Sequence, residues 1–100
     1  MLNITKTIEN GTASIAVEGR LDTVTEPRLE EAIKESLDGV TTMLLDFEKL
    51  EYISSAGLRV LLSAQKAMSR QGEMKILNIC ETIQEIFEVT GFSEILTVEA

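Results

Sequence analysis

The sequence has no histidine and no tryptophan, one cysteine, one proline and only 4% aromatic residues. Without histidine, every scheme that uses imidazole as base is excluded, the Ser-His-Asp arrangement among them, and most zinc sites fall with it. A lone cysteine, Cys80, cannot form an intramolecular disulfide and fits a reducing, cytoplasmic setting. It follows Ile76, Leu77 and Ile79 and reads as a small buried thiol. Long apolar runs are missing as well. The longest groups resemble Met43-Leu44-Leu45 and Val60-Leu61-Leu62, far short of a membrane span, so no membrane insertion is expected. The first ten residues alternate apolar and polar, unlike a secretory leader. Basic residues are scarce, 9 against 17 acidic, for a formal net charge of −8. A field of that sign repels phosphate backbones and argues against direct nucleic-acid binding. There is no glycine-rich phosphate loop of standard spacing, and no cofactor is implied.

What is present is the composition of a folded domain: 44% hydrophobic and 26% charged residues over 100 positions, read as one domain spanning 1–100 with a modest core. Two alternating stretches, Leu2 to Glu9 and Ala13 to Leu21, flank Asn10-Gly11, the strongest local hairpin signal. The period then changes. Leu29, Ala32, Ile33 and Leu37 form one helical stripe, with Glu30, Glu31, Lys34 and Glu35 on a solvated face. Thr25 is the expected N-cap, with Pro27 in the first turn and Asp38-Gly39 ending the helix. A capping box from Thr23 to Glu26 would place Pro27 where an N–H is needed. Val40 to Phe47 reads as a strand buried on both faces, Glu48 to Ile53 as an extended connector. A helix follows from Ser54 or Ser55 to about Arg70, with Leu58, Leu61, Leu62, Gln65 and Met68 at helical spacing, Leu58, Leu61 and Leu62 holding it to the sheet, and Gly72 just beyond. Met74 to Ile79 is a further strand, Ile83, Ile86 and Phe87 mark a third helix closed by Gly91, and the tail from Ile95 to Val98 is a short strand or frayed. The fold class is therefore α/β: a small mixed sheet, opened by an antiparallel hairpin and continued by parallel strands, with helices mainly on one face.

The segment richest in chemistry is Tyr52-Ile53-Ser54-Ser55-Ala56-Gly57-Leu58-Arg59. Two hydroxyls stand where a strand gives way to a helix. Serine there is ordinarily a cap, yet the same place can carry a phosphate, because free N–H groups and the helix dipole favour negative charge. Gly57 in a first helical turn costs up to ~1 kcal/mol relative to alanine, and its missing side chain would admit a second molecule.

Gly19-Arg20-Leu21-Asp22, Leu44-Leu45-Asp46-Phe47, the Tyr52–Leu58 run, Ile76-Leu77-Asn78 and Ile86 to Phe92, in this order and spacing, resemble the STAS domains of bacterial anti-sigma-factor antagonists. The resemblance implies a binding module without catalysis. Its partner would be an anti-sigma factor that is itself a serine kinase, which switches the antagonist off by phosphorylating a serine that a phosphatase later restores. Carried over by position, that serine is Ser55, with Ser54 the second candidate. Many members carry aspartate where this chain has Ser54, so neighbouring hydroxyls replace a carboxylate-marked site. The implied docking surface comprises Asp22, Ser54, Ser55, Ala56, Gly57 and Arg59, with Asp22 equally readable as a helix cap. The same fold also occurs as a non-catalytic subunit of lipid-transporting ABC complexes, the alternative reading.

Two enzyme-like readings compete. A serine nucleophile lacks an activating base, since Lys49 and Lys66 stand in no distinctive context. A phosphate-accepting receiver would use Asp46 at a strand end, but lacks the acid pair after its first strand and the lysine after a late one. Asp46 reads better as a turn carboxylate.

Overall fold

In the computed structural model, residues 2–99 are described; Met1 and Ala100, the outer limits of the span read as one domain, lie outside the described residues. Asn10 and Gly11 have φ of 52° and 79°, the doubly positive pair that a two-residue hairpin turn requires. They join β1 (Leu2–Glu9) to β2 (Thr12–Leu21) in an unbroken antiparallel register from Leu2↔Gly19 to Glu9↔Thr12. Then follow α1 (Glu26–Glu35), β3 (Thr42–Asp46), β4 (Leu50–Ile53), α2 (Ser55–Ser69), β5 (Glu73–Leu77), α3 (Glu81–Thr90), a 3₁₀ turn (Phe92–Glu94) and β6 (Val98–Glu99).

The sheet runs β1-β2-β3-β5-β6, and β4 pairs with β2 beyond the end of β3. Every pairing after the hairpin is parallel. Strand β2 thus serves two partners on one edge. Thr12 to Ala16 pair with β3, and Gly19 to Leu21 with β4, after a register shift between Gly19 and Arg20. Ala13, Ile15, Val17 and Leu21 of β2 are buried while Ser14, Ala16, Glu18 and Arg20 are exposed, the alternation of a sheet covered on one side. Leu29 and Ile33 of α1, Leu58, Leu61 and Met68 of α2, and Ile83 and Phe87 of α3 complete the core.

Several expectations need correction. Residues 48–53 are not merely a connector: the last four form β4, whose ladder partners, Gly19 to Leu21, lie more than thirty residues earlier and leave no local periodic signal. Strand β3 is fully buried on one face only. Met43 and Leu45 point inward, while Leu44 on the uncovered side is half-buried. Helix α1 stops at Glu35, before Asp38-Gly39. The Ser36 hydroxyl donates back to the Ala32 carbonyl at 2.7 Å, and Val40 N–H closes a turn onto Leu37 O. On α2, Leu62, expected to hold the helix to the sheet, is only half-buried, and Val60 and Ala64 are buried instead. Cys80 is half-buried as well, at the N-cap of α3, with its thiol 3.6 Å from the Leu50 carbonyl. Gly91 closes α3 at φ 82°, and the tail forms β6 against Ile76 and Leu77.

Candidate functional site

The site is assembled where β2 and β4 end side by side. Leu21 pairs with Ile53, and Ser54 N–H donates to the Leu21 carbonyl at 2.8 Å. Two loops therefore leave one corner of the sheet together, one carrying Asp22, the other Ser54 and Ser55.

Ser54 is extended (φ −93°, ψ 175°), and its Oγ accepts from Gly57 N–H at 3.3 Å while its carbonyl accepts from Leu58 N–H at 2.9 Å. It is the N-cap, its hydroxyl engaged in satisfying an otherwise orphaned donor. Ser55 is the first helical residue and is exposed; Ala56 is half-buried, and Arg59 is exposed one turn further along. Gly57 is placed differently from expectation. It is buried, and a Cβ built on it would lie 2.7 Å from Ile53 Cγ1 and 2.9 Å from Leu21 Cγ. The close approach that this glycine permits is intramolecular: it seats α2 on the ends of β2 and β4.

On the other loop, Asp22 Oδ1 accepts from Val24 N–H at 3.0 Å and Thr25 N–H at 3.1 Å, and the Asp22 carbonyl accepts from Glu26 N–H at 2.8 Å. Asp22 is thus the residue that ties the chain into α1. Thr25 occupies the N-cap position but its side chain does not cap the helix. Its hydroxyl accepts from Asp22 N–H at 2.9 Å and has two acceptors in reach of its one proton, Arg20 O at 2.8 Å and Asp22 Oδ1 at 3.1 Å. The Thr25 N–H holds the Asp22 carboxyl below its ordinary value of 3.8, helped by the Thr25 hydroxyl, Val24 N–H and the Arg20 charge and opposed by desolvation. Arg20 itself lies over the Tyr52 ring, 4.5 Å from the centroid.

Sequence reasoning missed Val24, an apolar side chain 82% exposed at the tip of the Asp22–Thr25 loop. The available signal was an apolar residue between two threonines, outside any periodic stripe. From Ala56 onward, α1 and α2 enclose a cleft of about 390 Å³ whose walls include Glu26 and Glu30 on one side and Ala56, Arg59, Ser63 and Lys66 on the other. Asp46 belongs to a separate cluster. Its Oδ1 accepts from Glu48 N–H at 3.0 Å and Asn78 Nδ2 at 3.2 Å, the turn role expected of it.

A family model described as the STAS domain matches residues 3–100. The chain belongs to the STAS domain family. Among its STAS relatives, the anti-sigma-B factor antagonist of Staphylococcus aureus is 31% identical over 99 residues, covering 97% of this chain and 92% of the relative. An anti-sigma factor antagonist from Mycobacterium paratuberculosis shares the fold at a TM-score of 0.89 and 20% identity, over 98% of this chain and 85% of that one. The Bacillus cell fate determinant SpoIIAA, solved in its phosphorylated form, superposes at a TM-score of 0.74 and 20% identity, over 100% of this chain and 92% of that one. STAS membership and the antiparallel β1–β2 pair displace the receiver-like alternative, whose doubly wound sheet order differs.

Proposed function

We propose that this STAS protein is a non-catalytic, cytoplasmic anti-sigma-factor antagonist. It docks a serine-kinase anti-sigma factor through Asp22 and the Ser54–Arg59 turn, and phosphorylation of Ser55 switches it off. The observation that carries the reading is the division of labour at the turn. Ser54 Oγ is committed to Gly57 N–H, whereas Ser55 is exposed at the helix start beside the Asp22 loop. In the switch, Ser55 Oγ takes the terminal phosphoryl of ATP, loses its proton to a base of the kinase and releases ADP. A phosphatase returns the hydroxyl by hydrolysis, liberating inorganic phosphate.

The energetics suit release without unfolding. A phosphate adds about −1.5 to −2 charges, which the first turn of a helix tolerates with a gain of roughly 0.3–1 kcal/mol. Across an interface the same charge, buried without a partner, costs several kcal/mol. Even ~3 kcal/mol weakens binding more than a hundredfold.

The deciding experiment is a pull-down from native cells with wild type and Ser55→Asp, the bound proteins identified by mass spectrometry. The expected result is a serine-kinase anti-sigma factor retained by wild type and lost with Ser55→Asp. Recovery of an ABC transport ATPase by both forms would overturn the reading in favour of a transport subunit.

A further inference from the structure

Arg59 follows Ser55 by four positions, and both are exposed on α2. Residues four apart are neighbours on a helix surface, and helical side chains lean toward the N-terminus, so Arg59 is directed back over the turn that begins with Ser55. Its charge is uncommitted. The ion pairs among the described residues are Lys6–Glu35 and Lys75–Glu99, so Glu26 and Glu30, which line the same cleft, do not hold it. Arg20, by contrast, is occupied with the Tyr52 ring. Lys66 lines the cleft too, but eleven residues separate it from Ser55, about 16 Å along the helix axis against about 6 Å for Arg59.

We propose that Arg59 is the positioning residue for a phosphate on Ser55, pairing with the phosphoryl oxygens along α2 and thereby withdrawing from the docking surface. The inference rests on the reading of Ser55 as phosphoacceptor. It gives the switch a second component, since modification adds an anion and at the same time neutralises a cation available to the partner. A planar, multi-donor guanidinium suits phosphate better than an ammonium point charge.

The test uses the full chain with phosphoserine incorporated at position 55 during translation, followed by ³¹P NMR against pH. The charged groups around this corner are Arg59 and, further along α2, Lys66, with Glu26 and Glu30 of α1 across the cleft from them, and Asp22 on its loop with the Arg20 charge acting on it. The free N–H groups of the first turn of α2 face the phosphate. Cations and N–H groups lower the second ionisation of the phosphate, ordinarily near about 6, and the carboxylates raise it. Arg59→Gln should therefore raise that midpoint by at least ~0.3 unit, Arg59→Lys should recover part of the difference, and Lys66→Gln should leave it in place. The difference should collapse in about 1 M salt, where charges are screened within about 3 Å. Circular dichroism checks that each variant is folded. Superimposable curves for wild type and Arg59→Gln, or an equal displacement by Lys66→Gln, would overturn the pairing. Because the phosphate is installed without a kinase, this outcome is independent of whether cells modify Ser55, which is what decides the underlying reading.

Discussion

At the scale of single residues, Gly57 and Asp22 act by physical means that a sequence motif does not express. A Cβ at Gly57 meets Ile53 Cγ1 at 2.7 Å and Leu21 Cγ at 2.9 Å. Gly57→Ala gains up to ~1 kcal/mol of helix propensity, but overpacking a filled core costs roughly 1–3 kcal/mol. The net outcome expected is a lower melting temperature, by several degrees at ~4–8 °C per kcal/mol for a domain of this size, readable by calorimetry. A melting temperature above wild type would mean that the space beside Gly57 is open. Asp22 makes a prediction in pH. Its folded carboxyl titrates below the ordinary 3.8, so the ionised form favours the fold. That contribution is complete above the ordinary value and disappears as pH falls through the lowered one. An NMR titration of the Asp22 carboxyl carbon should therefore give a midpoint below 3.8, and Thr25→Pro, which deletes the N–H that contributes most, should move it upward. Ser54 as cap was legible from its place ahead of an apolar stripe. The role of Gly57 was not, because the space is taken by Ile53 together with Leu21, which is distant in sequence and is brought there by the β2–β4 pairing.

At the scale of elements, helices and hairpin were legible wherever the signal was local. Asn10-Gly11 set the β1–β2 turn, the Leu58-Leu61-Met68 spacing announced α2, and Gly91 closed α3. Strand β4 was not legible, since four residues carry little periodicity and the strand is defined by its ladder to β2. Gly72 shows a correct position reached for another reason. It stands just past α2, as a helix-ending glycine would, but it is not among the glycines with positive φ, which are Gly11, Gly19, Gly39 and Gly91. The glycine is required because a Cβ there would collide with the Thr41 carbonyl, its carbon only 2.6 Å away. Since the obstacle is backbone that also accepts from Glu73 N–H at 3.0 Å, Gly72→Ala should loosen the α2–β5 connection. Amide exchange of Glu73 and Thr42 should accelerate relative to wild type; unchanged protection at both would refute that account.

At the scale of the whole molecule, β2 and β3 bury one face of the sheet while the site lies at a corner where two strands end, so a charge placed at Ser55 has little of the core to disturb. A Ser55-phosphorylated sample should keep its amide protection outside the 50s and 60s; broad loss elsewhere would mean that the switch works by unfolding. The same architecture bears on when the site comes into being. Asp22 and Ser54 become neighbours only after residues 21 and 53 have paired in a parallel ladder, a non-local and intrinsically slow step in folding. Ser54 and Ser55 in a nascent or denatured chain are ordinary serines without the Asp22 loop beside them. If this corner docks a partner as proposed, recognition there doubles as an inspection of the fold, and chains that have not finished folding stay silent to that partner.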